Sequence, residues 1–102
     1  AMQIRNDPGT TQLANSSNLG SLAWNNTARR VIFVDTGSQV TCYIDGVAQT
    51  PVAYTRSGAF TLNLTAIGGW PRATPVNFFA GDLAGLVAYP SALSAGDITS
   101  LD

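Results

Sequence analysis

"VIFVDTGSQVTCYIDGV", residues 31–47, decides how this chain folds, because strand and turn signals follow one another there without interruption. Val31, Ile32, Phe33 and Val34 form a β-rich run that is apolar on both sides, as in a strand buried between two layers. Further on, Val40, Cys42 and Ile44 alternate with Gln39, Thr41 and Tyr43, the period of a strand with one face turned inward. Asp35-Thr36-Gly37-Ser38 between the two runs has the composition of a hairpin turn. Asp45-Gly46 closes the second run, and its glycine supplies the positive φ of a tight turn, so a further strand over 47–49 is expected to fold back.

Asp35-Thr36-Gly37 after an apolar pair is also how aspartic proteases present a catalytic carboxylate. Such an enzyme activates water between two carboxylates that share one proton. A chain with a single Asp-Thr-Gly supplies half of that dyad, so a protease built on Asp35 would be a homodimer, as in the retroviral-type proteases that the triplet locally resembles.

Composition narrows the chemistry. At 102 residues the chain makes one domain. All five basic residues are Arg, all six acidic ones are Asp, and His is absent. With a net charge of −1 and no basic stripe, nucleic acid is not an expected partner. Without His there is no Ser-His-Asp or Cys-His machine, and carboxylate catalysis is what survives. Cys42 stands alone inside a strand and reads as a small buried hydrophobe. No apolar run reaches the ~20 residues that a bilayer requires, so membrane insertion is not expected. No cofactor or metal is expected. Calcium at Asp35, Asp45 or Asp82 lacks support from an Asp-x-Asp ligand spacing. Ala1-Met2 reads as a cloning remnant, and glycosylation sequons fall at Asn15, Asn25 and Asn63.

Outside the central stretch the pattern stays β. Short strands are expected around 2–5 and 10–14, separated by the turn Asn6-Asp7-Pro8-Gly9, with a polar loop over 15–21. Phe60, Leu62 and Leu64 alternate with Thr61 and Asn63, 76–79 resumes extended character, and 82–89 reads as the last long strand, stopped by Pro90. Ser94 with Asp97 three residues later is a capping-box start, and Leu93, Ile98 and Leu101 offer one apolar helix face. Phe33, Cys42, Ile44, Leu62, Leu86 and Tyr89 are the expected core.

The order of these pieces resembles a family. "YIDGV" (43–47), "LTAIGGW" (64–70) and "FFAGDLAGLVAYPSALSAGDITSL" (78–101) are similar to the closing portion of laminin G-like domains in the concanavalin A-like lectin and glucanase superfamily, and Trp24 sits where that family often carries a Trp. The resemblance covers 24–102 and implies an antiparallel jelly-roll β-sandwich with a short C-terminal helix. It also places Asp35 in a variable turn, leaving the protease as a minor alternative. Two departures stand out: Ala84-Gly85 occupies a position where the family often has Asp-Glu, and the N-terminal part of the usual domain is missing or compressed into 1–23.

Glycoside hydrolysis generally needs two carboxylates flanking the bond. The superfamily's glucanases typically use Glu, of which this chain has none, so the implied function is non-catalytic. A binding module for a glycan or cell-surface partner is expected, within an extracellular, cell-surface or virion-associated protein. Trp70, Arg72, Asn77, Tyr54 and Arg56 are the candidate ligand residues, since sugars want flat aromatic faces beside amide and guanidinium groups. The competing expectation is a structural module of a larger assembly. Missing strands would leave apolar surface to cover, so a homo-oligomer is expected.

Overall fold

The computed structural model describes residues 4–13, 27–59 and 81–101. Among these the chain is mostly strand in antiparallel pairing, with one short helix, which is compatible with a small all-β fold. The expected strands over 60–64 and 76–79, the loop over 15–21, the core position Leu62, the three sequons and Trp24 lie outside the described residues.

The first two strands, β1 (Ile4–Arg5) and β2 (Thr11–Leu13), make a two-stranded ribbon. Asn6-Asp7-Pro8-Gly9 turns the chain as its composition predicts. Gly9 adopts φ 87° and donates to the Asn6 carbonyl at 2.8 Å, and the Thr10 amide donates to Asn6 Oδ1 at 2.7 Å.

The central hairpin joins β3 (Val31–Asp35) to β4 (Gln39–Ile44), with Phe33 opposite Cys42 and Asp35 opposite Val40. Its turn holds Gly37 at φ 88°, and the Thr36 amide donates to the Gln39 carbonyl at 3.1 Å. The next reversal places Asp45 at φ 50° and Gly46 at φ 84°, the positive pair that a two-residue hairpin loop demands. From there β5 (Val47–Ala48) and β6 (Val52–Ala53) both return along the same side of β4.

Between β5 and β6 the register slips by one residue. Tyr43 faces Ala48, whereas Val40 faces Val52, so the returning chain spends one residue more than β4 does over the same span. This is a β-bulge, and Pro51, which has no amide hydrogen to give a ladder, lies within it. Because side chains alternate faces, an unslipped register would put Val52 on the opposite side of the sheet. The bulge is what brings Val52, and Tyr54 two residues later, onto the face of Val40 and Cys42.

That face carries the core. Leu13, Val40, Cys42 and Tyr54 are buried together, and Ile4, Val31, Ile44 and Val52 pack against them half-buried. Val40, Cys42 and Ile44 thus point inward, as their alternation requires, and burial raises the Cys42 thiol pKa. Two expectations for the core need correction. Phe33 is 45% exposed although it shares Cys42's face, because the cluster is centred on β4 and its return strand and reaches only Val31 on β3. Val34, on the other face, is the buried residue of β3.

The second correction concerns 82–89, which pairs with no strand among the described residues and is exposed throughout, leaving Leu86 62% and Tyr89 48% accessible. Ala84, Gly85 and Ala88 are poor strand formers, so this segment depends on a neighbouring strand to hold it extended and buried.

The C-terminal helix α1 (Ala95–Ser100) starts as its sequence predicts. Ser94 Oγ accepts from the Asp97 amide at 3.1 Å while Asp97 Oδ2 accepts from the Ser94 amide at 2.9 Å. The Ser94 hydroxyl, which donates to Asp97 Oδ2 at 2.7 Å, and then the Ser94 amide hold the Asp97 carboxyl below its usual pKa. A helix this short gains little from propensity. Ile98 is fully buried and supplies the packing, Leu93 is half-buried, and Leu101 stays exposed.

Candidate functional site

Asp35 ends β3, half-buried on the core face. Its Oδ1 accepts from the Gly37 amide at 2.8 Å and from the Tyr54 hydroxyl at 2.7 Å. The first bond is the Asx-type contact by which an aspartate initiates a turn. The second ties that turn to the returning chain, whose Tyr54 amide also donates to the Ser38 carbonyl at 2.9 Å. Asp35 is thus built into a hairpin from two directions.

Tyr54, a candidate ligand residue, sits in the core at 9% exposure. Burial first, then the bond and charge of Asp35, push its phenol pKa up to about 12. Its ring packs with Leu13, Val40 and Cys42, and its hydroxyl is committed to Asp35.

Arg56, the second described candidate, is exposed and reaches back over the same turn. A methyl built on Gly37 would lie 3.8 Å from Arg56 Nη1. Thr36 and Ser38 flank that glycine, both exposed, with their hydroxyl oxygens 3.3 Å apart. A guanidinium therefore stands beside Gly37 at the tip of the β3–β4 hairpin, between two residues whose hydroxyls neighbour each other, above the Tyr54–Asp35 bond. Sequence reasoning named Arg56 but missed the Thr36-Gly37-Ser38 tip, because the approach of Arg56 to Gly37 depends on the bulge that aims the 54–59 segment. Trp70, Arg72 and Asn77 lie outside the described residues.

The 54–59 segment is fastened to the β1–β2 ribbon. Asn6 Nδ2 donates to the Ser57 carbonyl at 3.0 Å, the Ser57 amide donates to Gln12 Oε1 at 2.7 Å, and the Asp7 amide donates to the Ala59 carbonyl at 2.8 Å. These bonds fix the backbone from which Arg56 projects.

A second charged cluster lies at the other end of the hairpin. Asp45 Oδ2 pairs with Arg29 Nη1 at 2.7 Å, Oδ1 accepts from the Arg30 amide at 2.9 Å, and Arg30 Nη1 donates to the Leu101 carbonyl at 2.7 Å. The Arg29 bond first, then the Arg30 amide, hold the Asp45 carboxyl below its usual range. The cluster joins a turn, the entry to β3 and the end of α1.

Among the described residues no three His, Cys, Asp or Glu side chains gather as a metal site, and no helix is long and apolar enough to cross a membrane. Compared with family models, curated proteins and solved structures, the chain matches none.

Proposed function

We propose that this chain is a non-catalytic binding module that recognises a glycan or a cell-surface partner and is carried by an extracellular, cell-surface or virion-associated protein. Its architecture, on this reading, is the laminin G-like jelly-roll sandwich that the motifs over 24–102 resemble. The observation that carries the proposal is the exposed Arg56 guanidinium beside Gly37 on a braced hairpin tip whose flanking residues, Thr36 and Ser38, are exposed hydroxyls. Sugar hydroxyls are recognised by such groups, because a guanidinium offers several fixed donors and a hydroxyl can either donate or accept. Trp70, Arg72 and Asn77 remain the sequence-based candidates for the rest of the site. The non-catalytic reading is supported by three of the five described aspartates: Asp35, Asp45 and Asp97 are each engaged in turn or cap hydrogen bonds.

A glycan array probed with the intact chain and with Arg56→Ala tests this. Binding that the substitution abolishes while the melting temperature is kept supports the module. Absence of binding to any glycan or cell surface overturns it.

The exposed apolar segment 82–89 favours a second reading, a structural module whose surface is covered within a larger assembly. Light scattering distinguishes the two, since a stable oligomer without ligand belongs to the second. The aspartic protease is the least supported reading, because Asp35 Oδ1 already accepts from Gly37 and Tyr54. Pepstatin-sensitive peptide cleavage lost in Asp35→Asn would restore it.

A further inference from the structure

We propose that Asp45 is the position at which this chain undergoes spontaneous aspartate isomerisation, and that the Arg29 side chain restrains the reaction in the folded protein. The chemistry requires the amide nitrogen of the following residue to attack the aspartate Cγ. A nitrogen–carbon bond forms, the bond from Cγ to its hydroxyl oxygen breaks, and water leaves to give a cyclic succinimide. Water then opens the ring at the former main-chain carbonyl. The main chain now runs through Cβ and Cγ, and no atom has been gained or lost overall.

A bulky following side chain obstructs the attack, and a following proline has no amide hydrogen to lose. Asp45 is followed by Gly46, whereas Asp7 precedes Pro8, Asp35 precedes Thr36, Asp82 precedes Leu83 and Asp97 precedes Ile98. No Asn in the chain precedes a Gly. Chemistry alone therefore singles out one bond, and the fold puts that bond at a hairpin tip, with Asp45 exposed at a positive φ of 50° and Gly46 half-buried.

The same fold opposes the reaction. Both carboxylate oxygens are gripped, Oδ2 by Arg29 and Oδ1 by the Arg30 amide, so Cγ is anchored toward residues 29–30 at the entry to β3. The Asp45 amide is itself bonded to the Arg30 carbonyl at 2.9 Å, which limits rotation of the residue. An ionised carboxylate is also a poor electrophile, and the lowered pKa keeps it ionised. Should Asp45 isomerise, the extra main-chain atom would break the register of Val47 with Ile44 and release Arg29.

The test is prolonged incubation of the intact chain, followed by peptide mapping with mass-spectrometric fragmentation that distinguishes isoaspartate from aspartate. IsoAsp should accumulate first at residue 45, severalfold more slowly in the folded protein than in the same chain in urea. Arg29→Ala, checked for retained folding by its thermal melt, should accelerate it severalfold. Raising salt to about 1 M around the unaltered protein, which shortens electrostatic reach to ~3 Å, should act in the same direction and needs no substitution. Earlier isomerisation at another aspartate, equal rates in folded and unfolded chain, or indifference to both Arg29→Ala and salt would each overturn the proposal. If Arg29→Ala does not fold, the salt series decides alone.

Discussion

The phenol of Tyr54 donates to Asp35 Oδ1 across 2.7 Å, joining the last residue of β3 to the chain beyond β6 at the margin of the buried cluster. A carboxylate that accepts from a buried hydroxyl and a turn amide on one oxygen is a structural fastening, and its removal has graded consequences.

Tyr54→Phe deletes a hydrogen bond to a charged acceptor while keeping the ring, and should cost about 1 to 3 kcal/mol in urea denaturation. Asp35→Asn should cost less, because an amide oxygen can accept from both Gly37 and Tyr54. Asp35→Ala should cost more than Asp35→Asn, since it leaves the Gly37 amide and the Tyr54 hydroxyl without their acceptor. Equal losses for Asn and Ala would show that the carboxylate's charge, not its hydrogen bonds, carries the effect.

Alkaline stability follows from the same pair. The Tyr54 pKa is raised to about 12, so its contribution is fully present below the ordinary tyrosine value of about 10 and is lost as pH rises from there towards 12. The loss should not exceed about 2 to 3 kcal/mol. Melting temperatures across that window should fall more steeply for the parent protein than for Tyr54→Phe.

On the acid side the sign is reversed. Asp45 and Asp97 both have lowered pKa values, so the stability they contribute is present above the ordinary aspartate value near about 4 and fades as pH falls through their folded values. Arg29→Ala and Ser94→Ala should each flatten the acid limb of a melting-temperature profile.

Gly58 makes a test of backbone geometry. Its φ is 76°, and a methyl there would fall 2.8 Å from Asn6 Nδ2, the atom that donates to the Ser57 carbonyl. Gly58→Ala should cost about 1 to 2 kcal/mol from the left-handed conformation alone, with more from displacing Asn6. Asn6→Ala in the same background should recover part of the loss if the clash contributes; a purely additive pair would place the whole cost in the backbone.

Ile98 and Leu86 contrast a buried with an exposed apolar residue. Ile98→Ala should cost about 2 to 5 kcal/mol, whereas Leu86→Ala should stay within ~0.5 kcal/mol. A large penalty at Leu86 would show that 82–89 is covered in solution, as the sequence pattern of a strand there expects.

What the sequence made legible was governed by local rules. Asp45-Gly46, Asn6 through Gly9 and the Ser94–Asp97 box each turned or capped the chain as expected, because their reasons lie within a few residues. The alternation of Val40, Cys42 and Ile44 found its face for the same reason. Phe33 and the 82–89 segment did not follow their patterns, since whether an apolar strand residue is buried depends on what covers it, and that is a long-range matter. The slip between Ala48 and Val52 was illegible too: Pro51 signals an interruption, but not the number of residues spent in crossing it. The Arg56, Thr36 and Ser38 grouping inherits that blindness. Tyr54 was named for its ring, and the pairing with Asp35 shows where the ring goes.

The Pro51 bulge also bears on how the protein behaves when concentrated. Among the described strands, β5 and β6 form one outer side of the sheet, and a regular strand there would present a row of backbone donors and acceptors on which another chain could grow. Here that row is cut into two-residue pieces, put out of step by one residue, and interrupted where proline has no hydrogen to donate. An incoming strand could follow it for only one short piece before losing register. The extra residue that aims Tyr54 into the core thereby makes this flank a poor template for fibre growth, and Pro51→Thr, which keeps that residue but restores a backbone donor, should make the protein more prone to aggregate without changing what the core contains.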